Sequence, residues 1–535
     1  MVVGKMFYRF WLPAFLLCFT TLSARAQSFQ VQCPNTTITH PTAANNNSEP
    51  AYTAPTTLAA GANGYLVPNA HVNGAIKCQQ ISGGDGFATM GDGSQTYLFA
   101  FGPLSGLADM SNGLPGTQFP DVFNTVAPPL VPGDPATSDG ASQSPYSFGN
   151  PLLFTYNGAV GLAPDLDAIA AGTCTAPCLD GHVDPRPIMD VGVMNGNMPA
   201  PLMAIDEDDE FFLTLTNVGQ VMRPDLFEQH TVHFHGYPNA SAFYDGVPDA
   251  SVAINIGGSF TYYYLAPDAG TYFWHCHITP PEHLQMGMVG QLYVRPRQNR
   301  VPNSTTLYAA LQAQQLDPRT KCDFNDILCS NPLPAVSTSA TGGAKYAYND
   351  GDGTTRYDVE YPLQIHGFDP NFHFVGMTFN PEGFTEMKDK YFLLNGRSYP
   401  DTVHDGPLAT QTTDGALHYS QPMSSIIKIP VGGRALLRIA DLDVTEYQTL
   451  ASLGIPMQVI GLNAKLLRDQ SGNNLYYNTN SITLAGGESL DVILDASDTT
   501  KYPSGSVFYL YTPNLDHLSN DAENFGGLMT EVRIN

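Results

Sequence analysis

Apolar residues in this chain recur at every second position, in runs of roughly four to eight bounded by Gly, Pro, Asn and Asp, the period of strands with one buried face. Phe211, Leu213 and Leu215 share one face of such a run, and residues 95–101, 259–264 and 270–275 read the same way. A second set follows at 391–394, 425–429, 435–439, 457–460 and 489–494, separated by turns such as Val431-Gly432-Gly433 and Ala485-Gly486-Gly487. The pattern predicts an all-β chain of two tandem sandwiches, 95–297 and 361–535, joined by a polar connector at 298–360. Residues 27–94 have few large apolar side chains and read as an N-terminal arm or cap. Pro, Gly, Ser and Asp dominate 103–190, a long loop-rich insertion in the first sandwich, placed to roof a site or form a subunit contact.

Two of the predicted strands carry metal-binding side chains. The first holds His230, His233 and His235; the second ends in His275-Cys276-His277 and is followed by His283 and Met288. Alternation puts His233 and His235 on one face with His230 opposite, and His275 and His277 on one face with Cys276 opposite. Pairing the strands then makes two back-to-back sites. His230, Cys276, His283 and Met288 meet on one side, and the imidazoles of His233, His235, His275 and His277 meet on the other. Two imidazoles, a thiolate and a thioether form the blue-copper donor set, whereas zinc has little use for a thioether.

The stretch 230–296 resembles the first cupredoxin domain of a multicopper oxidase. The likeness rests on His233-Phe234-His235-Gly236, Asp245-Gly246-Val247-Pro248, Gly270-Thr271-Tyr272-Phe273-Trp274-His275 and Gly287-Met288-Val289-Gly290. Because the thiolate lies in the first of two domains, the two-domain, often trimeric, branch is the nearest match. A copper nitrite reductase would carry Asp near position 233 and no His near 277. The resemblance implies Greek-key sandwiches, a type 1 copper, a type 2/type 3 cluster at the imidazoles, a small-molecule or metal-ion reductant, dioxygen as acceptor and a homotrimer. Asp245 and Glu282 match acidic positions that deliver protons in the family.

Two departures bear on function. Aligning Gly505-Ser506-Val507-Phe508-Tyr509 with residues 270–274 puts Leu510-Tyr511-Thr512 where His-Cys-His would stand, so the second sandwich lacks recognisable copper ligands. A complete cluster then needs imidazoles from His366, His373, His404, His418 or His517 of this or another subunit. The alternative is a type 1 electron-transfer or copper-binding protein with a vestigial cluster. The other departure is the spacing from Cys276 to His283, longer than the family's by the stretch holding Pro280 and Pro281.

Composition fits this picture. Gly (50) and Pro (42) are abundant in the 535 residues, which suits turn-rich sandwiches, and a net charge of −26 argues against nucleic-acid binding. Lys5 and Arg9, an apolar stretch at 10–22 and Ala24-Arg25-Ala26 read as a signal peptide over 1–26, which implies a periplasmic or extracellular protein. No later stretch is apolar enough to span a membrane. Proximity pairs Cys174 with Cys178 and Cys322 with Cys329, leaving Cys33 with Cys78. Met189, Met194, Met198 and Met203 read as core filler, and the acidic run 206–210 as a solvated turn guarding a sheet edge.

Overall fold

The computed structural model describes residues 36–42, 50–104, 162–164, 171–172, 179–183, 194 and 196–535, apart from 63, 225–226, 237–240, 267, 318–320, 323–328, 377–382, 407 and 412–416. The signal-peptide stretch, most of the insertion, Met189, Cys33, Cys174 and Cys178 lie outside these residues, and with them two of the expected disulfides. The pair Cys322–Cys329 is bonded, with Cα atoms 5.3 Å apart.

The first sandwich packs two four-stranded sheets. We label its elements β1 (Ile76–Thr89), β2 (Gln95–Pro103), β3 (Met203–Asp206), β4 (Glu210–Gly219), β5 (His233–Phe234), β6 (Ser259–Leu265), β7 (Gly270–His275), α1 (Pro280–Gln285) and β8 (Val289–Arg295). One sheet runs β6-β4-β1-β2 and the other β3-β8-β7-β5. Their inner faces interleave Ile81, Phe99, Phe101, Leu213, Leu215, Tyr262, Trp274 and Leu292 in one apolar core. In the segment expected as an arm, β1 supplies a central strand, paired with β2 on one side and β4 on the other. Its apolar pattern is weak for two reasons. Lys77 is buried against Asp206 and Asp209, and Gly83, Gly84 and Gly86 stand where neighbours approach too closely for a Cβ.

The acidic run is also not a solvated turn. Asp206, Glu207, Asp209 and Glu210 are buried, paired with Lys77, Arg297 and His40. Buried carboxylates at this density require such partners, and the cations come from segments distant in sequence. Met194, Met198 and Met203 are buried in apolar clusters.

The second sandwich carries strands Val359–Phe368, Arg434–Asp441, Ser489–Asp495 and Met457–Leu462 in one sheet, and Met529–Ile534, Val507–Tyr511 and Gln448–Leu453 in the other. Leu510, which stands where a ligand would in a copper-bearing domain, is part of its core. The sheet containing β7 packs against this domain. Thr271 Oγ1 donates to Asp491 (2.6 Å), Gln291 Nε2 to the Arg438 carbonyl (2.8 Å), and Glu360 is held between Arg295 and Arg438 (2.9 Å each).

Candidate metal centre

Register brings the two histidine-bearing segments together. His233 pairs with His275 and Phe234 with Trp274 across β5 and β7. Thr231 binds the far side of the Cys276 turn: its amide donates to Cys276 Sγ (3.4 Å) and its hydroxyl accepts from the His277 amide (2.9 Å). The regular strand at His233–Phe234 is only two residues long.

On the thiolate side, His230, Cys276 and His283 place their donor atoms within 4.8 Å of one another, all fully buried. His283 Nδ1 lies 3.2 Å from Cys276 Sγ. Met288 is buried beside them, and its carbonyl accepts from the Cys276 amide (3.1 Å). The long spacing from Cys276 to His283 is taken up by α1, with prolines in its first positions, which turns His283 back toward the sulfur. Among the described residues the ring nitrogens of His230 find no oxygen or nitrogen partner, and the group beside them is the Cys276 sulfur. A buried imidazole so placed is costly unless it binds a metal, and sulfur plus two imidazoles is a copper donor set.

Charge in this pocket is arranged for a metal. Burial works against a thiolate at Cys276, but the neighbouring His283 and His230 outweigh it and hold the thiol well below its ordinary value. Burial likewise opposes an imidazolium at His283, yet the thiolate and Glu228 push its pKa up to about 9. Copper must displace that proton, because only the neutral ring is a ligand. Copper affinity at this pocket is therefore expected to rise about tenfold per pH unit from neutrality and to level off above the His283 pKa of about 9. Competition titrations across that range check the slope; a flat profile would contradict the assignment of His283.

Gly83, on β1, closes the pocket. A Cβ there would sit 2.6 Å from His230 Cδ2 and 3.2 Å from the Met288 methyl. Gly83→Ala is expected to displace both ligands, weakening copper binding by about tenfold and shifting the thiolate absorption, at an overpacking cost of about 1–3 kcal/mol. Copper titration followed by absorption checks it.

On the other side, His233, His235 and His275 form a second group of donor atoms within 4.8 Å. His277 adds its ring 5.0 Å from that of His233 and 5.5 Å from that of His275, but its donor atoms fall outside the tight group. Backbone carbonyls fix the tautomers. His233 Nδ1 donates to Asp245 O (2.7 Å) and His275 Nδ1 to Cys276 O (2.6 Å), while His235 is bonded to the backbone of Gly487 in the second sandwich. The Nε2 atoms of His235 and His275 then face each other at 2.9 Å. Two lone pairs at that separation repel unless a cation or a proton lies between them, so the nest also fits a metal. Burial and the neighbouring His233 push the His235 pKa down to about 4, and burial drives that of His275 well below the ordinary value, so both rings are neutral and ready to ligate at pH 7.

Asp245 sits at the nest, its carboxylate 3.6 Å from His233 Nδ1 and partly exposed. Glu282 sits elsewhere: the charges nearest it are His283, Glu228 and Arg223, on the thiolate side, and burial raises its carboxyl above the usual range. Glu228 was not foreseen. Its Oε2 lies 3.4 Å from His283 Nε2, and that contact holds the carboxyl below its ordinary value. Its signal in the sequence is parity: Glu228 and His230 are two apart and share a face of an extended segment.

None of the described second-sandwich histidines enters the nest. His366 Nε2 is bound to the Leu284 carbonyl, His373 to the carbonyls of Tyr97 and Gln285, and His517 to Gln448 and Glu446. His404 is exposed, and the His418 side chain is outside the described residues.

A β-sandwich with this thiolate pocket and imidazole nest defines a cupredoxin of the copper-binding class. Residues 181–299 match the family description "Multicopper oxidase", and the buried sulfur and imidazoles of this stretch are consistent with copper sites. It is similar to the multicopper oxidase MCE of Talaromyces pinophilus (30% identical, covering 24% of this chain and 21% of the relative). It is also similar to laccase-1 of Emericella nidulans (30%, covering 31% and 25%). The chain thus spans about a quarter or less of the length of these curated relatives. Among solved structures it resembles the blue copper oxidase of Nitrosomonas europaea, at 22% identity and a TM-score of 0.42, over 64% of this chain and 78% of that one. Among the described residues no helix is long and apolar enough to cross a membrane.

Proposed function

We propose that the protein is a secreted copper oxidoreductase that removes single electrons from a small-molecule or metal-ion reductant at the thiolate pocket and delivers them to dioxygen at the imidazole nest. The observation that carries this reading is the position of Cys276: its sulfur is in one donor set while its chain neighbour His275 is in the other, with the ring of His277, its other neighbour, 5.5 Å from that of His275. Copper held in each pocket supplies one-electron chemistry. His230, Cys276, His283 and Met288 would hold the first ion; His233, His235 and His275, with His277 beside them, would hold metal in the nest. The bonded route from the sulfur to either flanking histidine is a single residue long.

The protein side of the work falls to a few groups. Glu228, partly exposed and in contact with His283, marks the edge of the thiolate pocket nearest solvent and is the natural place for a reductant to approach. Asp245 orients His233 through its carbonyl and offers a carboxylate beside the nest for proton delivery. Glu282 lies with Glu228 and Arg223 and would act on the reductant side, not at the nest.

A second reading, electron transfer with a vestigial nest, is favoured by the placement of His366, His373 and His517, which are all engaged elsewhere. Completion of a full cluster would then need another subunit, as in the trimeric two-domain branch. Copper quantitation on the loaded protein, paired with dioxygen uptake, separates the two. About three or four coppers per chain with dioxygen consumption supports the oxidase; about one, without uptake, supports electron transfer.

A further inference from the structure

We propose that the second sandwich serves as a clamp on the ligand loop of the thiolate pocket, and that its His373 is a positioning residue for His283. The proposal rests on the reading of that pocket as a copper site, but part of its test does not need copper.

His283 is delivered by α1, a helix of six residues. A helix this short does not hold itself together in water. The amides of Met286, Gly287 and Met288 in the following turn serve the Glu282, Leu284 and His283 carbonyls, and the second sandwich adds side-chain donors at the last two helical residues. His366 Nε2 reaches the Leu284 carbonyl (3.0 Å) and His373 Nε2 the Gln285 carbonyl (2.9 Å). The Gln285 side chain is gripped as well: its Oε1 accepts from the Asp369 amide (3.0 Å) and its Nε2 donates to Asp389 Oδ1 (2.9 Å).

His373 does more than cap the helix. Its Nδ1 lies 2.6 Å from the carbonyl of Tyr97 on β2, the strand whose Phe99 ring packs edge-on against His283 at 5.1 Å. One imidazole thus spans the helix that carries the ligand and the strand that walls it. The ring is fully buried and stacks on Phe368 at 3.6 Å, so its own position is fixed. The neutral ring has one N–H and donates to one carbonyl at a time. The second sandwich contributes no donor to either group among the described residues yet packs against the site, and groups behind a ligand set its orientation and the affinity of the site.

The test compares His373→Ala, His373→Gln, Gln285→Leu and, as a control on an exposed histidine, His404→Ala. In the metal-free protein, hydrogen exchange at the amides of Met286, Gly287 and Met288 is expected to quicken roughly five- to tenfold in His373→Ala and Gln285→Leu. His404→Ala should match the parent, and His373→Gln, which keeps a donor, should recover most of the protection. In the copper-loaded proteins the same two variants are expected to shift the thiolate absorption band and the reduction potential, which a loss of global stability alone would not do. Should His373→Ala not fold, Gln285→Leu carries the test from the loop side. Parent-like exchange and an unshifted band in the folded variants would overturn the clamp. A parent protein that takes up no copper would instead overturn the proposed function, while the exchange result still decides the clamp.

Discussion

Cys276→Ser is expected to abolish the intense visible absorption of the copper-loaded protein and to weaken copper binding at the thiolate pocket by more than about a hundredfold. The reason is local. The sulfur is the one soft anionic donor in a buried pocket whose other members are two imidazoles and a thioether. A serine hydroxyl is not ionised at neutral pH, so the negative charge that balances His283 disappears with the sulfur. The His283 pKa, raised to about 9 chiefly by that thiolate and against the effect of burial, should fall, with Glu228 left to hold it up. Under the proposed function, electrons from a reductant would then have no route to the nest. Absorption and copper quantitation on the variant read both effects; a Cys276→Ser protein that stays blue would contradict the ligand assignment.

The second large effect is expected at the nest. His235→Ala should leave the blue absorption of the thiolate pocket unchanged and still bleachable by a reductant, but the bleached protein should no longer recover its colour in air. His235 and His275 face each other through Nε2 at 2.9 Å, and His235 is anchored from the other domain by Gly487. Removing it takes away one of three tightly grouped donors and should lower metal affinity there by more than about a hundredfold. Stopped-flow reoxidation, with copper counted before and after, measures this. Reoxidation at the parent rate would favour the electron-transfer reading, in which the nest plays no part.

Parity in the sequence puts His233, His235, His275 and His277 on one side and His230 and Cys276 on the other, through the two-residue repeat of strands. The structure groups the donor atoms of His233, His235 and His275 apart from those of His230, Cys276 and His283, with His277 outside the tight group. Strands with clean alternation were legible for the same reason. The parts that were not legible depend on partners far along the chain. Strand β1 reads as polar because Lys77 is neutralised by Asp206 and Asp209, and its Gly83 makes room for His230 and Met288. The acidic run looked solvated because its partners Arg297 and His40 lie far from it in sequence, one on each side. His366 and His373 looked like candidate ligands, and nothing local in the sequence says that both are occupied by carbonyls of α1.

Diffraction data collected at the copper absorption edge from copper-loaded crystals test the central assignment most directly. The anomalous map should show one peak bounded by Cys276 Sγ, His283 Nδ1, His230 and Met288, and a separate density among His233, His235 and His275. A thiolate pocket without a peak, or Cys276 found oxidised or turned away from His283, would contradict it.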